Sequence, residues 1–216
     1  TSHPDTPVIS FTGGTVTGAK IAETAAPMFK KLSLELGGKN PNIIFADADF
    51  EDALEMALKA SFRNQGQICL CGSRLFVEEP IYEKFKAAFV KRTQELKVGN
   101  PKTDNNLGAV VSKNHMNSIL SKIELAKEEG GKVLCGGNRL ILDGELSEGY
   151  YIEPTIIEGL NHMCRTNQEE IFGPVVSIMP FKNEEDVIEM ANSTRYGLAA
   201  SIFTKDISKG HRVAAK

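Results

Sequence analysis

FRNQGQICLCGSR, Phe62 to Arg74, is the stretch on which the reading of this chain turns. Ahead of it Phe50, Leu54, Ala57 and Ser61 recur at helical spacing, with Leu58 and Phe62 beside them. The spacing predicts a helix capped by Asp49, with Asp52 in a first turn that favours acids. Asn64 to Gly66 end that helix, and Arg74 to Val77 read as a strand. Cys69 therefore falls on a turn, three residues after Gly66, with rigid elements on both sides. A thiol held in this way can be reached from solvent and still be fixed in place, which is what a covalent nucleophile requires.

Upstream, Lys31 to Glu35 alternates, with Leu32, Leu34 and Leu36 on one face and Lys31, Ser33 and Glu35 on the other. Gly37-Gly38 lets the chain bend, and Pro41 to Phe45 resumes as an apolar strand. Glu35 closes its strand on the polar face. The pattern alone favours a solvated carboxylate over a base, because exposed glutamate is the usual case. Earlier still, Val8 to Phe11 is β-prone, Gly13-Gly14 follows, and Thr15 to about Ala26 suits a helix that Pro27 ends. Strand, glycine turn and helix present backbone N–H groups to a phosphate. However, GGTVTG departs from G-x-G-x-x-G, and GGTVTGAK carries its lysine one place too late for a P-loop. Turns of this kind are commoner without ligands than with them.

Downstream, Ile81 to Leu96 and Lys113 to Glu129 read as amphipathic helices, the second stopped by Gly130. Their apolar stripes read as core. Lys132 to Cys135 reads as a strand and Gly136 to Gly149 as a glycine-rich surface loop. Tyr150 to Ile157 and Val175 to Phe181 follow as strands, the latter entered through EEIFGPV with Glu169 and Glu170. A helix over Glu184 to Ser193, a strand over Leu198 to Thr204 and a helix from Asp206 complete the pattern. Strands alternating with helices predict an α/β fold with a largely parallel sheet and helices on both faces.

A net charge of −3 gives no general attraction to nucleic acid or to an anionic membrane. No apolar run is long enough to span a bilayer, and TSHPDTPVISF has no signal-peptide pattern. The cysteines at 69, 71, 135 and 164 form no C-x-x-C pair, and with only four histidines no metal site is expected. Free thiols fit a reducing compartment, so a cytoplasmic location is expected.

Three motifs in order, LELGGKNP at 34–41, NQGQICLCGSR at 64–74 and EEIFGPV at 169–175, resemble the aldehyde dehydrogenase superfamily. FTGG, KVGNP and YGLAASIFT add support, and SLELGGKNP with GQICLC is most similar to the branch that oxidises muconic semialdehydes. The resemblance implies Cys69 as nucleophile and Glu35 as general base. It implies Gly13 and Gly14 under a pyrophosphate, Leu36 and Gly37 beside a nicotinamide, Glu170 on the ribose and Phe172 against the cofactor. NAD is the implied cofactor, with NADP not excluded, a small aldehyde the substrate, and a homo-oligomer the assembly. Glu169, Cys71, Cys135 and Cys164 keep structural readings. Gly14 stands where the family more often has serine, and Val16 where an acid is frequent.

Family chains are more than twice as long, so residues 1–37 are expected to be the end of a Rossmann-like dinucleotide-binding domain. Residues 38–216 are then expected to be most of a thiol-bearing catalytic domain. Two rival readings remain: a fragment that serves only in oligomer packing, and a thiol esterase that works through Cys69 without nicotinamide.

Overall fold

The structure, a computed structural model, describes residues 1–103 and 107–216 and divides into two compact units, Thr1–Gly38 and Lys39–Lys216. In the first, β1 (Val8–Thr12) and β2 (Lys31–Glu35) pair in parallel, with Thr12 opposite Glu35. The connecting helix α1 (Thr15–Ala25) ends in a single 3₁₀ turn around Pro27. Leu36, just past β2, packs against this helix, a Cβ added at Gly18 lying 2.5 Å from its side chain, while Leu32 stays exposed. Gly13 N–H donates to the Glu35 carbonyl at 3.0 Å and ties the two carboxyl ends together.

The second unit is built on a six-stranded sheet. Its strands are β3 (Pro41–Ile44), β4 (Arg74–Glu78), β5 (Lys132–Cys135), β8 (Thr155–Glu158), β9 (Val175–Phe181) and β10 (Ser201–Phe203), in the order β10-β3-β4-β9-β8-β5. All neighbours are parallel except β5 and β8. Side chains alternate across it as strand geometry requires. On one face Ile44, Leu75, Val77, Val176 and Ile178 pack with α2 (Phe50–Phe62) and α3 (Glu79–Gln94). Here Phe89 stacks with Phe62 on one side and Phe85 on the other, at 6.0 and 6.3 Å between ring centroids. On the other face Ile43, Phe45, Phe76, Met179 and Phe181 meet Val187 of α6 (Glu184–Asn192) and Val213 of α7 (Ile207–Ala214). A third cluster joins Met116, Ile119 and Ile123 of α4 (Lys113–Glu128) to Ile157, Ile171 and Val175.

The starts of α2, α4, α6 and α7 follow from short polar side chains. Asp49 accepts from Asp52 N–H at 3.2 Å as the sequence predicts, and Ser112, Asn183 and Asp206 cap α4, α6 and α7 in the same way. Two expectations need correction. Tyr150 to Ile157 is not one strand: β7 (Tyr151–Ile152) and β8 are separated by Glu153-Pro154, and Pro154 has no N–H for a ladder. Nor is Gly136 to Gly149 wholly a loop, because β6 (Arg139–Leu140) pairs antiparallel with β7. One four-residue helix, α5 (Arg165–Gln168), is too short to leave a periodic signal.

Candidate active site

Cys69 lies on the turn between α2 and β4 and is half-buried. The turn is set by an unusual run of left-handed backbone: Asn64 at φ 51°, Gln65 at φ 56° and Gly66 at φ 69°. Gly66 is demanded by space as well as by φ. A Cβ there would sit 2.0 Å from the Gly173 carbonyl oxygen, so no larger residue allows this approach. The flanking glutamines fasten the turn to the segment that precedes α4. Gln65 Nε2 donates to the Ala109 carbonyl at 3.1 Å, and Gln67 Oε1 accepts from Val111 N–H at 3.0 Å.

Gly173 belongs to the EEIFGPV segment, so the Cys69 turn and the Glu170–Phe172 stretch are brought together in this unit. Ile171 is buried in the α4 cluster, while Glu170 is half-buried and Phe172 is exposed, at φ 57°. Two side chains of α4 hold this stretch by its carbonyls. Lys122 Nζ donates to the Glu170 carbonyl oxygen, and the His115 Nε2 lies 2.7 Å from that of Phe172.

Beneath the turn are three residues whose roles the sequence reading missed. Arg74 opens β4 and is 1% exposed. Its Nε donates to the Lys39 carbonyl at 2.8 Å, and its terminal nitrogens donate to the carbonyls of Met190 and Ala191 at 2.8 and 2.7 Å. It therefore satisfies the end of α6, where a cation is favoured. Burial lowers its pKa to about 10, which leaves it charged at neutral pH. The signal was available: Arg74 precedes the apolar run Leu75 to Val77 and shares a face with Phe76, an unusual start for a buried strand. Asn40 is 3% exposed and donates from Nδ2 to the carbonyls of Cys69 and Cys71 at 2.7 and 2.9 Å. Lys39 is 2% exposed, and its pKa is lowered to about 7. Burial is the main cause, followed by the positive charges of Arg74 and Lys122, and Cys164 and Glu170 pull the other way.

The other thiols are in poor positions to react. Burial pushes Cys71 up to about 11 and raises Cys135 and Cys164 as well. Among the described residues no group of three or more His, Cys, Asp or Glu side chains is gathered for a metal, and no helix is long and apolar enough to cross a membrane.

Glu35, Leu36, Gly37, Gly13 and Gly14 all belong to the first unit. Glu35 is exposed, at the carboxyl end of β2, and Gly13 and Gly14 follow the carboxyl end of β1. Gly14 is the N-cap of α1. No side chain caps that helix, its first turn holds no acid, and nothing lies within 4 Å of where a Gly14 Cβ would be.

The geometry thus presents a glycine-opened helix after a short parallel strand in one unit, and in the other a thiol on a pinned turn beside a doubly anchored EEIFGPV segment. The family model described as "Aldehyde dehydrogenase family" matches residues 1–216, and the chain belongs to that family. The 2-aminomuconic semialdehyde dehydrogenase of Danio rerio is 50% identical over 218 residues, covering 100% of this chain and 45% of that protein. The 4-trimethylaminobutyraldehyde dehydrogenase of Homo sapiens is 45% identical over 216 residues, covering 99% of this chain and 44% of the relative. A crystal structure of Staphylococcus aureus betaine aldehyde dehydrogenase in complex with NAD+ superposes with a TM-score of 0.96. It is 44% identical, over 99% of this chain and 42% of that one. The chain thus spans less than half the length of the relatives it matches.

Proposed function

We propose that this chain carries the nucleophile and the general base of an NAD-dependent oxidation of an aldehyde to its acid. The observation that supports this most is the Cys69 turn, where a half-buried cysteine sits on a backbone fixed from three directions. Residues 1–37 would contribute to dinucleotide binding and 38–216 to catalysis.

The residues present suit a nicotinamide dinucleotide. The uncapped, acid-free start of α1 leaves backbone N–H groups for a diphosphate, and Gly14 adds no side chain to obstruct it. Glu170 has the acceptor capacity for ribose hydroxyls, and Phe172 offers an exposed ring. When bound, the dinucleotide supplies a hydride acceptor.

The Cys69 thiolate attacks the aldehyde carbon and the carbonyl π-electrons move to oxygen, giving a thiohemiacetal oxyanion. Backbone N–H groups near Cys69 stabilise that charge. Loss of hydride from the same carbon leaves a thioester on Cys69. Glu35 then takes a proton from water as the water attacks the thioester carbonyl, and collapse expels the Cys69 thiolate and the acid. The names of the most similar relatives point toward a semialdehyde of the 2-aminomuconic type as substrate, with trimethylaminobutyraldehyde as the competing choice.

A panel of semialdehydes and trimethylammonium aldehydes with NAD and NADP tests this reading. The expected result is NADH formation with at least one of them, lost in Cys69→Ser. Undiminished NADH formation by Cys69→Ser would refute the role of Cys69. Ester hydrolysis without nicotinamide, lost in the same variant, would favour the thiol-esterase reading if no aldehyde is oxidised.

A further inference from the structure

The candidate nucleophile is fixed by a residue on a distant part of the chain. We propose that Asn40 is the positioning residue of the Cys69 turn, its buried amide setting the peptide planes that follow Cys69 and Cys71. The proposal rests on the reading of Cys69 as nucleophile.

The amide is fully used. Nδ2 donates both hydrogens, to the carbonyls of Cys69 at 2.7 Å and Cys71 at 2.9 Å, and Oδ1 accepts from Ala199 N–H at 3.1 Å. The reversed orientation would put Oδ1 against two carbonyl oxygens and Nδ2 against an N–H, so the pattern admits one rotamer. With 3% of the residue exposed, water offers no substitute partner. Asn40 is itself held from below: Arg74 Nε donates to the Lys39 carbonyl at 2.8 Å, and Arg74 N–H to the Asn40 carbonyl at 3.3 Å.

This has a consequence for the chemistry. In a trans peptide the carbonyl and the next N–H are coplanar and point in opposite directions. Turning the Cys69 carbonyl toward Asn40 therefore aims the Leu70 N–H the other way and fixes ψ at Cys69. A second bond to the Cys71 carbonyl prevents the turn from pivoting about the first. One amide thus joins the segments that lead into β3, β4 and β10. Attack on a carbonyl tolerates little misplacement, and about 1 Å is enough for roughly 100-fold in rate.

The test uses variants of matched size. Asn40→Asp keeps the acceptor for Ala199 and loses both donors, so an ionised carboxylate would face two carbonyl oxygens. The expected result is a fall in kcat of roughly 100-fold near neutral pH, with the aldehyde KM close to the parent's. Alkylation of Cys69 by iodoacetamide, read by peptide mass mapping, should slow as well. A protonated aspartic acid regains one donor, so the deficit should shrink as pH falls. Asn40→Ala has no donor at any pH and should show no such recovery, and Asn40→Ser should fall between them. Parent-like kcat and alkylation in Asn40→Asp and Asn40→Ala, with Cys69→Ser inactive, would overturn the proposal and leave the nucleophile reading standing. A loss equal at every pH that tracks a lowered melting temperature would overturn it too. Retained turnover in Cys69→Ser would instead remove the reading on which it rests.

Discussion

The two units place their candidate residues at opposite ends of parallel strands. In the first, Gly13, Gly14 and Glu35 lie at the carboxyl ends of β1 and β2, the usual position for ligands in open α/β folds. In the second, Asn40, Cys69, Gly173 and Ala199 lie just before the amino ends of β3, β4, β9 and β10. The carboxyl end of β1 feeds the start of α1, where the helix dipole and free N–H groups favour an anion. The amino end of β4 receives the chain from the end of α2, and that of β3 lies by the end of α6, where the dipole is unfavourable to an anion. Buried Arg74 meets that helix end, donating to the carbonyls of Met190 and Ala191, and Lys39 is buried as well. The difference lies in the groups on offer: open backbone N–H groups at the start of α1, against buried side-chain donors, Asn40 and Arg74, that hold backbone carbonyls in the second unit.

The comparison is easiest to break at its glycines. Gly66→Ala combines a left-handed φ of 69° with a 2.0 Å clash against backbone. Denaturant unfolding is expected to show a loss of about 4 kcal/mol or more, or no folded protein. A smaller loss with an intact Cys69 turn would mean that the approach to Gly173 is not required.

Thiol labelling sharpens it next. Cys71, pushed up to about 11 by burial, should be alkylated slowly near neutral pH, with a rate still rising above pH 10. Rapid labelling of Cys71 at pH 7 would contradict its burial.

The cation beneath the site gives a pH test. Lys39 has a folded pKa of about 7, below its ordinary value of 10.5, so between these limits the unfolded chain binds more protons. Stability should therefore rise with pH across that window, because the penalty for burying the ammonium is full below pH 7 and fades above it. Lys39→Met is expected to flatten the rise in chemical denaturation at a series of pH values. An unchanged slope would assign the effect elsewhere.

The smallest effect belongs to the first unit. Gly14→Ala meets nothing within 4 Å at a φ of −68°, so a stability change below about 1 kcal/mol is expected by thermal unfolding.

Much of the fold was legible because it is periodic. The Lys31–Glu35 alternation, the α2 stripe and the Asp49 cap all appear where local spacing puts them. Tyr150–Ile157 misled because its apolar run continues through Glu153-Pro154, and only the missing Pro154 N–H breaks the ladder. The Cys69 turn was legible as a turn, but its support was not. Asn40 is 29 positions from Cys69, and Arg74 reaches Ala191 across 117. Contacts at such separations leave no local pattern, so the amide and the cation beneath the thiol emerge only once the chain is folded.

The central claim is that Cys69 takes the aldehyde carbon and Glu35 releases it. The most direct measurement is mass spectrometry of Glu35→Gln, quenched in acid after mixing with NAD and a substrate aldehyde. The account expects an acyl adduct that accumulates on the peptide containing Cys69, in proportion to the first equivalent of NADH formed. An adduct on Cys71, Cys135 or Cys164 instead, or turnover at the parent rate with no adduct, would contradict it.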